Sequence, residues 1–326
     1  MTTEEKAMQM ILYCCHKPDE AEEAAAEGVG GLCLFANSFS GKTRDEVVAM
    51  TAAMQAAAPL PLLLAVDEEG GEVCRVSYNP ALRARPFEAP RTLFRTGGWK
   101  KITSDTVEKA QLLLDLGLNV NLGPVCDVPS SSLNYIYTRT FSGNAPEVAR
   151  YVELVVRAMK EQGLGSTLKH FPGYGGSADT HKGMAYDKRS RDAFDQGDLL
   201  PFEAGIREGA DAVMVSHNIV LCMDGELPAS LSPEVHRVLR EELGFEGVVL
   251  CDDLSMGAVE QFTGGQNAAV QAVLAGNDLI CCGDYRGAAS AIAEAVRAGT
   301  LDEEQLDASV LRILRWKMAL GLDISA

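Results

Sequence analysis

The sequence has few basic residues for its length. Its 326 residues include 29 Lys and Arg against 46 Asp and Glu, which gives a formal net charge of −17 at pH 7. A surface this acidic repels nucleic acids and anionic membranes, and no local basic patch interrupts it. Because 47% of the residues are hydrophobic, the chain can bury a substantial core. We therefore expect a soluble globular protein that binds neither nucleic acid nor membrane.

Long apolar runs and paired cysteine motifs are also missing. No stretch reaches the roughly 20 apolar residues that cross a bilayer. The amino-terminal segment MTTEEKAMQMILYCCHK has an acidic start and only a short apolar run, unlike a signal peptide. The nine cysteines include no C-x-x-C motif, and most lie in apolar runs where a free thiol behaves as a small hydrophobic group. These features predict reduced thiols and a cytoplasmic location.

Short apolar runs typical of β-strands alternate with helical patterns along the chain. Seven runs are clear, and a weaker eighth candidate covers 137–141; the clear runs are 31–36, 62–67, 120–128, 166–171, 212–217, 247–252 and 278–282. Alternation of strands with helices predicts parallel pairing, and eight such units close into a (β/α)₈ barrel. An open doubly wound sheet is the alternative, but no G-x-G-x-x-G motif follows any strand. Since the composition does not shift along the chain, we expect one domain over 1–326.

Ionisable residues follow five of the apolar runs. These strand ends carry Asp67 with Glu68 and Glu69, then Asp127, Lys169 with His170, His217, and Asp252 with Asp253. In a parallel barrel the carboxyl ends of the strands meet at one mouth, where the following loops build active sites. One acid after a strand is often only the N-cap of the next helix. Five such ends together predict a ligand-binding mouth.

Five motifs in register resemble the family 3 glycoside hydrolases. They are AVDEEGGEVCR, TRTF, KHFPGYG followed by DTH, PASLS, and GVVLCDDLSMGAV, and the similarity covers about residues 8 to 322. Within that family the chain is similar to the β-N-acetylglucosaminidases that have a barrel and no second sandwich domain. The resemblance implies a carbohydrate substrate, namely β-linked glycosides with a terminal N-acetylglucosamine. It also implies no cofactor, no metal and no obligate protein partner.

The resemblance assigns the reacting groups of a retaining mechanism, which needs a nucleophile and a separate acid/base. Asp252 matches the family's nucleophile and would form a glycosyl-enzyme. His181 matches a histidine acid/base that is oriented by Asp179. A histidine avoids charge repulsion with a leaving group that carries a carboxylate, which suits an anhydro-muramyl sugar from peptidoglycan recycling. The structural alternative for the Asp179–His181 segment is an Asx turn on a solvated loop. For Asp253, adjacent to the nucleophile, we expect hydrogen bonds to loop amides.

Five further residues match the family's sugar-binding positions, with surface ion pairs as the alternative for the two arginines. They are Asp67, Arg75, Arg139, Lys169 and His170. His217 is expected near the mouth but behind the ligand-binding residues. Gly173, Gly175 and Gly176 are expected to permit positive φ beside His181.

Two positions depart from the family pattern. Tyr174 stands where many relatives carry histidine, and it is expected to alter loop packing only. Glu68 stands where glutamine is common, and it is expected to add a negative charge near the mouth.

Other functions remain open on the sequence alone. A metal-dependent barrel hydrolase could use His170, His181, His217 and Asp252, although no H-x-H or H-E-x-x-H spacing occurs. A catalytically inactive barrel that only binds cell-wall sugars is a second alternative. A third is a phosphorylase or a family 3 glycosidase of other specificity, because a histidine acid/base also tolerates an incoming phosphate.

Overall fold

Short, fully buried apolar strands form the centre of the protein. The computed structural model describes residues 1–175, 185–256, 259, 262 and 267–325. The strands are β1 (Ile11–Cys15), β2 (Gly31–Leu34), β3 (Leu63–Val66), β4 (Val120–Asn121), β5 (Gly165–Phe171), β6 (Tyr186–Asp187), β7 (Ala212–Val215), β8 (Ile219–Val220), β9 (Val248–Cys251) and β10 (Ile280–Cys282). Strands buried on both faces read as continuous apolar runs without alternation, which is typical of parallel sheets.

Eight of these strands pair in parallel in the order β10-β1-β2-β3-β4-β5-β7-β9. A parallel bridge between Leu250 and Leu279 joins β9 to the residue before β10, and this bridge closes the ring. The predicted (β/α)₈ barrel is therefore confirmed. Strands β6 and β8 form a separate two-stranded parallel ladder beside the barrel.

Helices surround the barrel and carry the connections between its strands. They are α1 (Thr3–Gln9), α2 (Ala21–Ala26), α3 (Ala36–Phe39), α4 (Arg44–Ala57), α5 (Pro90–Asp115), α6 (Ala145–Gln162), α7 (Arg191–Ala193), α8 (Leu199–Glu208), α9 (Pro233–Arg237), α10 (Ala268–Ala275), α11 (Tyr285–Arg297) and α12 (Glu303–Ala319). Capping residues fix several ends: Thr43 and Glu46 form a capping box at α4, and Gly163 ends α6 in the left-handed conformation. Among the described residues, no helix combines the length and hydropathy that a bilayer crossing requires.

One predicted strand is wrong, and another strand takes its place. Residues 137–141 contain a 3₁₀ turn over Tyr137–Arg139 instead of a strand. The eighth barrel strand is β1, which pairs with β10 on one side and β2 on the other. Its apolar run lies directly after the short helix α1, so the sequence gives it no strand-like alternation and no preceding turn signal. The position of β1 places the carboxyl ends of all eight barrel strands around one mouth.

Candidate active site

The carboxyl ends of the barrel strands enclose a cavity of about 560 Å³, which we call the mouth. Six of the residues predicted as a site line this one cavity: Asp67, Arg75, Arg139, Lys169, His170 and Asp252. The remaining two, Asp179 and His181, lie outside the described residues. The cavity is large enough to hold a sugar ring and part of a leaving group.

Lys169 is the most buried charged group of the mouth. Its ammonium lies 2.6 Å from Asp67 Oδ1 and 2.7 Å from Glu69 Oε1, and its side chain is 2% exposed. The pairing register of β5 with β7 shifts between Leu168 and Phe171, and Lys169 and His170 occupy this irregular step. Both of their side chains line the cavity.

The surrounding carboxylates keep Lys169 charged. Burial alone would lower the pKa of the Lys169 ammonium, but Asp67 and Glu69 raise the pKa above its ordinary value. The reverse holds for Glu69, where burial acts to raise the pKa and the charges of Lys169 and Arg139 bring it below the ordinary value. Each group is therefore ionised because its neighbours are.

A continuous chain of polar contacts extends from this pair to the far wall of the mouth. Arg139 holds Glu69 in a bidentate contact, with Nε 2.9 Å from Oε2 and Nη2 2.7 Å from Oε1. The same Nη2 lies 3.3 Å from His170 Nε2, and His170 Nδ1 lies 2.8 Å from Asp127 Oδ2. Asp127 is fully buried. Because every link constrains the next, the polar atoms that face the cavity have fixed positions.

Asp252 follows β9 directly. In the strand order around the barrel, β9 lies across the mouth from β3 and β4. Its backbone N–H donates to the Val215 carbonyl, and its Oδ1 accepts from the Asp253 N–H at 2.9 Å. Burial would raise the pKa of this carboxyl, but the electrostatic influence of His217 and then of His170, with the Asp253 N–H, holds the pKa below its usual range. Asp252 is therefore an ionised carboxylate at neutral pH, as a nucleophile must be.

His217 contacts the backbone of Asp253, which in turn hydrogen-bonds to Asp252. His217 is fully buried, with Nδ1 2.7 Å from Ser230 Oγ and Nε2 3.0 Å from the Asp253 carbonyl oxygen. Asp253 Oδ1 accepts from the Ser255 N–H at 2.9 Å, as expected for a residue that hydrogen-bonds loop amides. His217 thus lies behind the cavity-lining residues, and this expectation is confirmed. Among the described residues, no group of three or more His, Cys, Asp or Glu side chains is arranged to hold a metal ion.

Glu68 is not among the described residues that line the mouth, although it follows Asp67 directly. Its buried carboxylate points into the following loop, where it accepts from the Arg75 and Val76 N–H groups at 2.8 and 2.7 Å and from the Ser77 hydroxyl. Adjacent residues of an extended chain point to opposite faces, so Asp67 faces the cavity while Glu68 faces away. Glu68 shapes the loop that brings Arg75 within 3.6 Å of Asp67.

Tyr174 is buried against the polar chain of the mouth. Its ring centroid lies 5.2 Å from that of His170 and 5.5 Å from that of Tyr135, and its backbone N–H donates to Asp127 Oδ1 at 2.7 Å. The preceding Gly173 has φ +126°, as the sequence predicts, whereas Gly175 does not adopt a positive φ, and Gly176 lies outside the described residues. Tyr174 therefore acts through packing, and it stands directly behind a residue that faces the cavity.

A profile model of the glycosyl hydrolase family 3 N-terminal domain matches residues 2–316. The chain belongs to glycosyl hydrolase family 3.

The chain is similar to relatives and solved structures of family 3 that are named for activity on N-acetylhexosamine glycosides. The chain is 37% identical over 260 residues to a beta-hexosaminidase from Stenotrophomonas maltophilia, covering 78% of this chain and 76% of that protein. A family 3 beta-N-acetylglucosaminidase structure from Paenibacillus superposes with TM-score 0.92 at 32% identity; the match covers all of this chain and 64% of that one. A beta-N-acetylhexosaminidase from Beutenbergia cavernae superposes with TM-score 0.83 at 25% identity, covering 98% and 99% of the two chains.

Two residues of this family 3 site were not predicted from the sequence. Glu69 is the shared counter-ion of Lys169 and Arg139, and Asp127 is the partner of His170. A signal for Glu69 existed, because two predicted cations at one buried mouth require more carboxylate than Asp67 alone supplies. Asp127 was noted as a strand end, but nothing in the sequence pairs it with His170.

Proposed function

We propose that this chain is a retaining, exo-acting β-N-acetylglucosaminidase, with hydrolysis proceeding through a glycosyl-enzyme on Asp252. The observation that carries the proposal is the joint placement of an ionised Asp252 and five predicted sugar-binding side chains in one cavity. Beta-hexosaminidase activity is supported independently by family membership and by relatives of that name. The substrate class is β-linked glycosides with a terminal N-acetylglucosamine.

The buried end of the mouth would take the terminal sugar. Asp67 offers carboxylate oxygens as acceptors, while Lys169, Arg139 and Arg75 offer charged donors, so the hydroxyl groups of a sugar ring can be bound by both types of group. These side chains are already fixed by their mutual contacts, which reduces the entropy cost of ordering them on binding. The glycosidic bond would then lie beside Asp252, with the leaving group directed toward the open rim.

The leaving group needs a proton that Asp252 cannot supply. We propose His181 as the acid/base and Asp179 as the residue that orients it. His181 would protonate the glycosidic oxygen as Asp252 attacks and would then deprotonate water to release the sugar with retained configuration. A histidine suits an anionic leaving group, so we propose N-acetylglucosaminyl-anhydro-muramyl compounds from peptidoglycan recycling as natural substrates, with a cytoplasmic location.

Substrate selectivity is tested with two chromogenic glycosides that differ only at the 2-position. We expect hydrolysis of the β-N-acetylglucosaminide at a rate far above that of the matching β-glucoside. Equal rates would show that the N-acetyl selectivity is wrong. A parallel comparison with and without phosphate measures whether phosphate replaces water as the acceptor, which would favour a phosphorylase.

The acid/base role is tested with a series of aryl N-acetylglucosaminides and a disaccharide. His181→Ala should cripple the disaccharide and the poor leaving groups, but activated phenols need little protonation and should retain most of their glycosylation rate. Asp179→Asn should show a weaker form of the same pattern. His16→Ala is the matched control, because His16 also lines the mouth but has no assigned role. A mutant-to-wild-type ratio independent of leaving-group pKa would remove His181 from the mechanism.

A further inference from the structure

The chain enters and leaves the segment 176–184 at two well-fixed points. On the entering side, the Ser130 N–H and hydroxyl both donate to the Gly175 carbonyl at 2.9 Å. On the leaving side, the Ile219 N–H donates to the Ala185 carbonyl at 2.8 Å, and β6 continues directly into its ladder with β8. These contacts anchor each end of the segment separately.

The Asp198 carboxylate packs directly against the backbone of the entering side. A Cβ atom added to Gly173 would lie 2.5 Å from Asp198 Oδ1, and one added to Gly175 would lie 2.8 Å from the same oxygen. Only glycine allows the backbone to approach this closely. Asp198 is 3% exposed, and it comes from the π-helical turn Phe194–Asp198 that precedes α8.

Arg189 links this carboxylate to the leaving side. Its Nη1 lies 2.6 Å from Asp198 Oδ2 and its Nη2 lies 3.2 Å from Asp198 Oδ1. Toward β6, its Nε and Nη2 donate to Asp187 Oδ1 and Oδ2 at 3.0 and 2.7 Å. The guanidinium also stacks over the Phe194 ring, with Cζ 4.5 Å from the centroid. One planar cation therefore bridges Asp187, which directly follows the segment, and Asp198, which packs against the backbone that precedes it.

We propose that Arg189, through Asp198, is a positioning residue for the acid/base step. The inference rests on the proposed role of His181, which lies between the two ends that this contact holds together. Asp187, Arg189 and Asp198 are not among the described residues that line the mouth, so we assign none of them a contact with the sugar. Their effect on catalysis would pass through the backbone positions at the two ends of the segment.

Lysine cannot replace this arginine without loss of position. A guanidinium presents donors in a rigid fork that fits two carboxylates at once, whereas an ammonium is a compact point charge on a flexible stem. Arg189→Lys keeps the charge that neutralises the buried Asp187 and Asp198 while removing the fork. Arg189→Ala would remove the cation between these two buried carboxylates and could prevent folding. Arg189→Lys is therefore the primary variant, and Asp198→Asn is the second, because it keeps the shape of the side chain and removes its charge.

The experiment measures kcat/KM of the full chain across the aryl leaving-group series and on the disaccharide. For both variants we expect a loss of about 10–100-fold on the disaccharide and the poorest leaving groups, since a displacement of about 1 Å has effects of that size. The loss on the most activated phenol should stay within about threefold. Inhibition by free N-acetylglucosamine should be unchanged, because the sugar-binding side chains are not touched. A general loss of folded protein would instead lower all substrates equally.

Arg191 supplies the matched control two residues away. It pairs with Asp195 and Glu242 at the surface, so Arg191→Lys should leave the leaving-group dependence unchanged. If Arg189→Lys and Asp198→Asn give ratios independent of leaving group while His181→Ala gives a dependent one, this inference is overturned and the proposed function stands. If His181→Ala itself shows no dependence, both are overturned.

Discussion

The pKa values of two buried lysines at opposite ends of the barrel are shifted in opposite directions. Lys169, in the mouth, contacts two carboxylates, and its pKa is raised. Lys317, on α12, lies behind the amino ends of β1 and β2, a region we call the base. Its ammonium is 2.7 Å from the neutral Gln9 Oε1, and burial lowers its pKa to about 7. Both side chains are almost completely inaccessible, so burial alone does not decide their charge.

The difference lies in what each lysine faces. A buried cation retains its proton where carboxylates compensate the lost hydration, and it tends to release the proton where only an amide does so. In the mouth, the charge of Lys169 is maintained because Glu69 and Arg139 are buried with it as ionised groups. Burying several charges is unfavourable unless they are paired, and such clusters are typical of sites that bind a polar ligand. In the base, Gln9 binds Lys317 and donates to the Gly28 carbonyl at 2.8 Å, which satisfies the polar groups without added charge. The charged contacts of the mouth thus suit a polar ligand, whereas the neutral contacts of the base only close that end of the barrel.

The strongest disturbance of the mouth should be removal of its proposed nucleophile, Asp252. Asp252→Ala should reduce turnover by about 10⁴–10⁶-fold, as found when a nucleophile is deleted from other enzymes. The thermal unfolding temperature should change little, because no cation depends on Asp252 alone. Steady-state rates on an activated aryl N-acetylglucosaminide and a melting curve measure both effects. Asp253→Asn, the adjacent residue, is the control and should keep most of the activity; equal losses in the two variants would contradict the assignment.

Replacing each lysine by methionine tests the comparison directly. Lys169→Met leaves Asp67 and Glu69 buried beside one another with only arginines as partners, so we expect a loss of about 3–5 kcal/mol in the free energy of unfolding. Activity should fall as well, because a donor to the sugar is removed. Lys317→Met removes no charge pair and should cost much less. Denaturant unfolding at pH 7 measures both, and a larger loss for Lys317→Met would reverse the distinction between mouth and base.

Parts of this architecture could be predicted from sequence for physical reasons. Strands that are buried on both faces are continuous apolar runs, and seven of the eight barrel strands were recognised in this way. β1 was not, because its run follows directly on α1 without a turn signal. Candidate side chains such as Lys169 and Asp67 could be predicted because they stand at strand ends and match family motifs. Their partners were not predicted, since Glu69 meets Lys169, and Asp127 meets His170, only through the tertiary fold.

The hydrogen bonds that Glu68 makes with its loop were also not predicted from the sequence. Substituting Glu68 tests how much this loop contributes to stability and to the mouth. Glu68→Gln keeps one acceptor oxygen for the Arg75 and Val76 N–H groups but turns an amide toward the Ser77 N–H. We expect a loss of about 1–3 kcal/mol in unfolding free energy, the size of one unsatisfied buried group. KM should rise more than kcat falls, because the displaced loop carries Arg75.

Glu72→Gln is the control for this effect. Glu72 is an exposed residue of the same loop whose carboxylate accepts from the Thr138 hydroxyl. Its substitution should change stability by less than about 0.5 kcal/mol. An equal effect of the two variants would mean that Glu68 does not organise the loop.

The base should influence activity least, but Lys317 should make stability depend on pH. Lys317 has a folded pKa of about 7, below the ordinary value of 10.5 that applies in the unfolded chain. Between these two values the unfolded chain binds the proton and the folded protein does not, so this residue makes stability rise with pH over that window. The slope of stability against pH approaches about 1.4 kcal/mol per pH unit between these values, and it falls to zero well below pH 7, where both states are protonated. Measuring denaturant unfolding of wild type and Lys317→Met at pH 7, 8 and 9 should show the wild type gaining stability relative to the variant.

Lys101→Met, at an exposed helical position, is the control and should show no such divergence from wild type. A constant difference between wild type and Lys317→Met across this range would mean that Lys317 stays charged, and the contrast with Lys169 would then rest on contacts alone.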